Sequence, residues 1–208
     1  MDTKAALPTL AFPSLDAFAA WLSDNHASSP GAWLRLAKKG AGRPSVTYAE
    51  AIEVALCWGW IDGQKQAHDE RHWLQKFTPR GARSLWSKIN RDRATALIVK
   101  KRMRASGLAE IERAKRDGRW EAAYDSPKSS TVPDDLQAAL DGNARARRAW
   151  AAVDSANRYA ILWRVQTAKK AETRARRVAQ LVAMLGRGEV LHPARRRKGK
   201  GANAGRSR

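Results

Sequence analysis

The chain has 208 residues, 43% of them hydrophobic and nine of them Trp, so it can fill an ordinary core and is not an intrinsically disordered chain. Lys and Arg number 40 against 20 acidic residues, and the net charge of +20 indicates either anionic partners or a compositional bias towards Arg and Ala without a partner. The single cysteine excludes an intramolecular disulfide, and no apolar run approaches the roughly 20 residues of a membrane span, so we expect a cytoplasmic protein.

The first third of the chain predicts a helix, a strand and a second helix. Ser14 is a good helix N-cap residue, and the apolar residues up to Asn25 recur at helical spacing. Residues 32–38 alternate apolar and polar side chains, which is typical of a half-buried strand. Thr47 and Glu50 have the spacing of a capping box and predict the start of the second helix, whose inner face we expect to include Tyr48.

The middle of the chain predicts a hairpin followed by helices. The Asp-Gly pair within residues 59–63 suits a sharp turn, and residues 71–78 contain enough large apolar side chains for a strand. Ser87 is placed to cap a third helix, and residues 107–117 predict a fourth. A small antiparallel or mixed sheet with packing helices is therefore expected, which makes the fold class α+β.

The last third predicts a helical region and a basic tail. A helix opens at Pro133, and three helical pieces then run to Leu185. After Pro193 the sequence has seven Lys or Arg, no acidic residue and no large apolar residue, so we expect disorder there. The expected organisation is an α+β domain at 12–124, a linker at 125–132, a helical region at 133–187 and a disordered basic tail at 193–208.

Two patterns resemble functional sites, a pair of metal ligands and a nucleophilic cysteine, and the sequence favours neither function. His68 and His72 are four residues apart, but they lie between a turn and a strand, where this spacing does not bring side chains together. With no third ligand in evidence we expect no metal, and nothing in the chain predicts a cofactor. Cys57 sits in an apolar run and is expected to be a core residue rather than a nucleophile. No catalytic residue is recognised, and a function other than catalysis is favoured.

The most informative cluster combines aromatic and polar residues at the ends of predicted elements. Aromatic rings can form the walls of a pocket, and Arg80 can bind a carboxylate or phosphate with two hydrogen bonds. The amides that follow Ser87 could meet an anion at a helix N-terminus. Taken singly, the same residues are also explained as turn, core and capping residues. The candidate ligand-binding residues are Trp58, Trp60, Asp62, Arg80, Trp86, Ser87 and Asn90.

Four segments carry a resemblance to a known family. Residues 55–63 (ALCWGWIDG), 77–80 (FTPR), 86–90 (WSKIN) and 168–177 (AKKAETRARR) resemble, in this order, the YdeI/OmpD-associated or bacteriocin-protection family. The likeness covers about residues 12–186, although the family commonly has a Pro near Ala171. It implies a small, soluble bacterial protein of the stress response, associated with tolerance of cationic antimicrobial peptides or bacteriocins. The family brings no catalytic residues that could be assigned here.

Three functions remain open on this basis. The preferred one is a regulatory protein that binds a small anionic molecule in the aromatic cluster. The second is non-specific nucleic-acid binding through basic helices and tail. The third is an enzyme of unrecognised class that uses Cys57 or Asp62. The sequence does not specify an oligomeric state. The nucleic-acid candidates are Arg174, Arg176, Arg177, Arg195, Arg196, Arg197 and Lys198.

Overall fold

The computed structural model describes residues 6–42 and 44–193, and the chain divides into two compact units between Ser126 and Pro127. The first unit contains the strands β1 (Thr9–Leu10), β2 (Ala32–Ala37), β3 (Trp60–Ala67) and β4 (His72–Pro79). Its helices are α1 (Leu15–Asn25), α2 (Tyr48–Cys57), α3 (Lys88–Val99) and α4 (Ala105–Arg116). The second unit contains α5 (Asp134–Asp141), α6 (Ala144–Ala152), α7 (Ser155–Gln166) and α8 (Ala171–Gly186). The predicted α+β class is confirmed. Except for Pro193, the predicted tail lies outside the described residues.

The four strands form one mixed sheet in the order β1-β2-β4-β3. β1 runs parallel to β2, whereas β2 and β3 each pair with β4 in antiparallel fashion. The register of β3 shifts between Asp62 and Lys65, which marks a bulge in this edge strand. The sequence did not predict β1, because two residues carry no alternation and owe their strand conformation to pairing with β2.

The connection between β3 and β4 differs from the predicted one. The turn assigned to 59–63 is wrong, because most of that segment lies in β3. The chain reverses at residues 68–71, where Asp69 Oδ1 accepts hydrogen bonds of 2.7 Å from the backbone N–H groups of Arg71 and His72. An aspartate that binds the amides two residues on is a standard turn former. Within residues 6–42 and 44–193, no three His, Cys, Asp or Glu side chains are grouped as metal ligands would be.

Side-chain caps begin the helices of the first unit where the sequence predicted them. Ser14 Oγ accepts a hydrogen bond from the backbone of α1, and Ser87 Oγ does the same for α3. Thr47 and Glu50 form the complete capping box of α2. The exception is α4, which follows Arg104 without a side-chain cap.

The core of the first unit lies between the sheet and its helices. The predicted inner face of β2 is buried, and Leu34 and Leu36 pack with Phe18 of α1 and Phe77 of β4. Large apolar side chains in contact of this kind supply most of the stability of such a domain. Tyr48 departs from the expected inner face of α2, because 39% of the residue is exposed.

The second unit has its own helical core. Leu136 and Leu140 of α5 pack with Ile161 of α7 and Leu185 of α8 in one cluster. The guanidinium of Arg158 covers the Trp150 ring at 4.4 Å from its centroid. Among the described residues, none of the helices has the length and apolar character needed to cross a membrane.

Candidate functional site

Arg80 is directed into the first unit by the backbone that surrounds it. Its N–H donates to the carbonyl of Gly59 at 3.0 Å, and its carbonyl accepts a 3.1 Å hydrogen bond from Arg113 of α4. The residue is only 4% exposed. Its guanidinium carbon lies 3.6 Å from the centroid of the Trp86 ring, which is itself 1% exposed. A buried cation stacked on a buried indole therefore follows directly after β4.

The hydrogen bonds of Arg80 are incomplete. A guanidinium has five N–H donors. Nη1 donates to the Leu85 carbonyl at 3.3 Å, whereas Nε and Nη2 are buried without a partner. In the described part of the chain Arg80 forms no ion pair. Burial lowers the pKa of Arg80 to about 10, although the negative charges of Asp62 and Glu110 oppose this effect. The site therefore holds a cation that is short of acceptors.

Two tyrosines and Asp62 occupy the more exposed side of this group. Tyr48 donates a hydrogen bond of 2.7 Å to Asp62 Oδ2. Burial, this hydrogen bond and the charge of Asp62 all raise the pKa of Tyr48, so its hydroxyl stays protonated. Burial also raises the pKa of Tyr124, an effect that Asp62 reinforces and Arg80 opposes. Asp62 and Arg80 are therefore both close enough to Tyr124 for their charges to shift its pKa.

The start of α3 uses two of the predicted site residues for structure. The Ser87 hydroxyl accepts a 3.2 Å hydrogen bond from the backbone N–H of Asn90 and thereby caps α3. The Trp86 carbonyl accepts from the Tyr124 N–H at 3.0 Å, and the Lys88 N–H donates to the Tyr124 carbonyl at 2.9 Å. Trp86 Nε1 is buried without a hydrogen-bond partner. Trp86 therefore offers a free polar atom next to Arg80, whereas the hydrogen bond between Ser87 and Asn90 involves the Asn90 backbone and caps the helix.

The two remaining tryptophans of the predicted pocket lie elsewhere. Trp60 is a core residue whose Nε1 donates to the His26 carbonyl at 3.2 Å. Trp58 is half-buried; its ring lies 4.5 Å from that of His26 and 5.6 Å from the guanidinium carbon of Arg104. The structure thus brings Asp62, Arg80 and Trp86 together, while Trp58 lines a cavity to which none of these three contributes.

Several residues that complete the Arg80 site are not predicted by the sequence. The backbone contacts of Tyr124 to the start of α3 place this residue at the site. Glu110 and Arg113 come from α4 and form an ion pair with each other beside Arg80. Tyr48 could have been found from its place at the exposed start of α2, but its partner Asp62 depends on the register of β3.

Three of the basic residues considered for nucleic acid lie in the second unit. Arg174 forms a bidentate ion pair with Asp135, with N–O distances of 2.6 and 2.8 Å. Arg177 donates to the carbonyl of Arg164 at 2.7 Å, and Arg176 is exposed. The structure therefore uses two of the three to stabilise the helices. The other four candidates, at positions 195–198, lie outside the described residues.

Cys57 lies at the end of α2 and is 6% exposed. Burial raises the pKa of its thiol, although the neighbouring cations Arg102 and Arg104 lower it. The reactive form of a cysteine is the thiolate, so a raised pKa argues against a nucleophilic role.

Two family models match the chain. Residues 10–110 match a model described as a domain of unknown function, DUF8412. Residues 129–188 match the model described as Bacteriocin-protection, YdeI or OmpD-Associated. No curated protein and no solved structure matches at a significant level. Of the four resembling segments, only 168–177 lies in the second match, and the other three lie in the first. The second match confirms the resemblance to the YdeI/OmpD-associated, bacteriocin-protection family over residues 129–188 of the chain.

Proposed function

We propose that the first unit binds a small anionic molecule through Arg80. One observation carries this proposal: Nε and Nη2 of a guanidinium that is 4% exposed have no hydrogen-bond partner among residues 6–42 and 44–193. Each unsatisfied buried donor costs about 1–3 kcal/mol, and more when it is charged. A carboxylate or phosphate offers two acceptors in the geometry that a guanidinium prefers, so a bound anion removes this cost.

The surroundings of Arg80 narrow the class of ligand. Trp86 supports one face of the guanidinium and offers its free Nε1–H as a further donor. Asp62, held by Tyr48, places a negative charge on the more exposed side. That charge repels a ligand with several anionic groups more strongly than a ligand with one. A ligand with one carboxylate or one phosphate monoester group fits this arrangement best.

The part played in tolerance of antimicrobial peptides or bacteriocins is then indirect. A protein with a net charge of +20 repels cationic peptides, so sequestration of such peptides is not the expected mechanism. We propose that the ligand controls a regulatory or envelope-assembly role of the protein. Direct binding of a cationic antimicrobial peptide at about 0.15 M salt would contradict this role.

The test compares thermal stability in acetate, inorganic phosphate and AMP with that in chloride at the same ionic strength. A ligand specific for the folded state at 100 times its Kd stabilises by about 2.7 kcal/mol, so binding is seen as a rise in Tm. We expect Arg80→Met to abolish this rise. The substitution fills the same space without a buried charge, so the unliganded variant should be about as stable as the natural protein.

The matched control is Arg83→Met, which removes an exposed charge from the same loop. It should keep the ligand-dependent rise in Tm. An equal rise in the natural protein and in Arg80→Met would remove Arg80 from the site. If Arg80→Met and Arg83→Met lose the ligand-dependent rise in Tm equally, then overall charge, and not the buried guanidinium, attracts the anions.

A further inference from the structure

A cavity of the first unit lies at the end of α2 and has a volume of about 290 Å³. Apolar side chains of α1 and α2 form part of its wall, and the half-buried ring of Trp58 forms another part. The five-residue connection between α3 and α4 supplies most of its polar wall, in which Lys101, Arg102 and Arg104 all take part. The cavity therefore combines a flat aromatic surface with a group of cations.

The charges in this cavity are only partly compensated. Arg102 forms a 3.0 Å ion pair with Glu53. Within the described ranges, Lys101 and Arg104 form no ion pair, and Asp16, which also lines the cavity, is paired with neither. The Arg104 guanidinium lies over the Trp58 ring, with its carbon 5.6 Å from the ring centroid, and the rest of the ring forms the aromatic wall of the cavity. A cation beside an aromatic wall is a common way to hold an organic anion.

The backbone places Lys101 in the cavity at a conformational cost. Helix α3 ends in a Schellman motif, because the Lys101 N–H donates to the Ile98 carbonyl and the Arg102 N–H donates to the Leu97 carbonyl. Lys101 itself has a φ of 54°, a backbone conformation in which glycine is the usual residue. A lysine at this position is therefore not explained by the needs of the helix end.

Two backbone contacts with the Cys57 carbonyl also fix the shape of the cavity. The Arg104 N–H donates to the Cys57 carbonyl at 3.0 Å, which fixes the cationic segment to the end of α2. Gly107 packs on the same carbonyl so closely that a Cβ atom would lie 2.3 Å from it. The cations thus sit on a segment anchored to the Trp58 wall, and little ordering is needed when a ligand binds.

We propose that this cavity is a binding site for a planar organic anion, with Trp58 as the stacking surface and Lys101 and Arg104 as the anion-binding groups. The site is separate from the one proposed at Arg80, and either can exist without the other. Aryl phosphates and aryl carboxylates share the required chemistry, a flat apolar ring with one anionic group.

The test measures the Kd of phenyl phosphate and of inorganic phosphate by titration calorimetry with the full chain. We expect phenyl phosphate to bind more tightly than inorganic phosphate, because only phenyl phosphate uses the Trp58 ring. Lys101→Gly should weaken phenyl phosphate binding about tenfold or more, as the loss of a charged hydrogen-bond partner does. Its Tm should equal or exceed that of the natural protein, since glycine relieves the positive φ. These titrations are made in the Arg80→Met background, in which phosphate groups no longer bind at the site proposed at Arg80 and the Kd of phenyl phosphate at the Trp58 cavity should equal that in the natural protein.

Lys100→Gln is the matched control. Lys100 is exposed and adjacent to Lys101, but Lys100 does not line the cavity. The substitution should leave the Kd within about twofold of the natural value. Trp58→Leu should weaken phenyl phosphate binding and leave inorganic phosphate unchanged. The proposal is overturned by the absence of saturable binding, by inorganic phosphate binding as tightly as phenyl phosphate, or by Lys101→Gly and Lys100→Gln having equal effects.

Discussion

At the scale of single residues, two glycines decide how closely α4 approaches the end of α2. A Cβ on Gly107 would lie 2.3 Å from the carbonyl oxygen of Cys57. A Cβ on Gly59 would lie 2.8 Å from Glu110 Cγ and 3.0 Å from the Ser106 carbonyl oxygen, at a φ of 74°. Because the closest atoms to Gly107 belong to the backbone, they cannot move aside as a flexible side chain could.

We therefore predict that Gly107→Ala destabilises the protein. In an unobstructed helix this change would stabilise by about 0.8–1.0 kcal/mol, because alanine has the higher helix propensity. Here the added methyl group meets the Cys57 carbonyl, and overpacking of this kind costs about 1–3 kcal/mol. Urea denaturation followed by circular dichroism measures the free energy of unfolding.

Gly63→Ala is the control for this prediction. The nearest side-chain atom to its added Cβ would be Lys76 Cβ at 3.7 Å, an ordinary van der Waals contact. We expect a change in the free energy of unfolding within about 0.5 kcal/mol. Destabilisation of equal size in the two variants would show that the approach of α4 to Cys57 is not the cause.

At the scale of elements, an ion pair joins the first turns of α5 and α8. Arg174 donates to both carboxylate oxygens of Asp135 and also to the Val165 carbonyl at 3.2 Å. The hydrogen bonds from Arg174 hold the pKa of Asp135 below its usual value, although partial burial opposes this. A bidentate pair of this kind fixes orientation as well as distance between two helices.

The pH dependence of this ion pair has a definite sign. Because the pKa of Asp135 is lower in the folded protein than in the unfolded chain, its stabilisation is fully present above the unfolded value of about 4 and is lost as the pH falls through the folded value. Asp135→Asn should destabilise the second unit by about 0.2–1 kcal/mol at pH 7, since both partners are partly exposed.

Hydrogen exchange of the α5 amides, measured at pH 7 and below pH 4, checks this prediction. The natural protein and Asp135→Asn should differ at pH 7 and converge at the lower pH. Asp141→Asn is a matched control, because this carboxylate accepts only from Gln137 in its own helix. A difference that persists at low pH would contradict an electrostatic origin.

The elements that the sequence predicted correctly are those whose signals are local. The caps at Ser14, Thr47 and Ser87 require only a few neighbouring residues, and the alternation in β2 follows from burial of one face. β3 has no such signal, since all of its residues after Asp62 are exposed and no face alternates. Its Asp-Gly pair therefore predicts the hairpin turn at the wrong place, because the chain reverses at Asp69.

In the candidate sites, too, the features with local signals are predictable from the sequence, whereas those that depend on distant parts of the chain are not. Arg80 and Trp86 were chosen for their chemistry and prove to be stacked. The partners of Arg80 come from distant parts of the chain, with Tyr124 and Glu110 as examples. The cavity at Trp58 requires a segment more than 40 residues away to dock on α2, and the glycine contact that permits it has no pattern in the sequence.

At the scale of the whole molecule, the net charge is the dominant property. The seven Lys and Arg that follow Pro193 supply part of the +20, and residues 1–193 still carry +13. Non-specific nucleic-acid binding therefore remains a competing function. It would be distinguished from small-ligand binding by its dependence on salt, because displaced counterions weaken binding to a phosphate backbone as salt rises.

We predict that deleting residues after Pro193 affects these two activities differently. The slope of log K against log salt for duplex DNA should become shallower by about 0.9 for each phosphate that the deleted residues contact. The Kd of phenyl phosphate at about 0.15 M salt should stay within twofold, since that cavity lies in the first unit. Fluorescence anisotropy over a salt series and calorimetry measure the two quantities. A phenyl phosphate Kd that also depends on the deletion would favour general charge attraction over a defined site.

The bulge in β3 bears on how the protein behaves at high concentration. β3 is an edge of the sheet, and an edge strand can recruit a strand of another molecule and start aggregation. The register shift between Asp62 and Lys65 interrupts the row of backbone groups on this edge, and Lys65 lies over Trp73 with its Nζ 4.3 Å from the ring centroid. An incoming strand would meet an irregular backbone and a fixed positive charge, so the same irregularity that concealed β3 in the sequence protects the folded protein from edge-to-edge polymerisation.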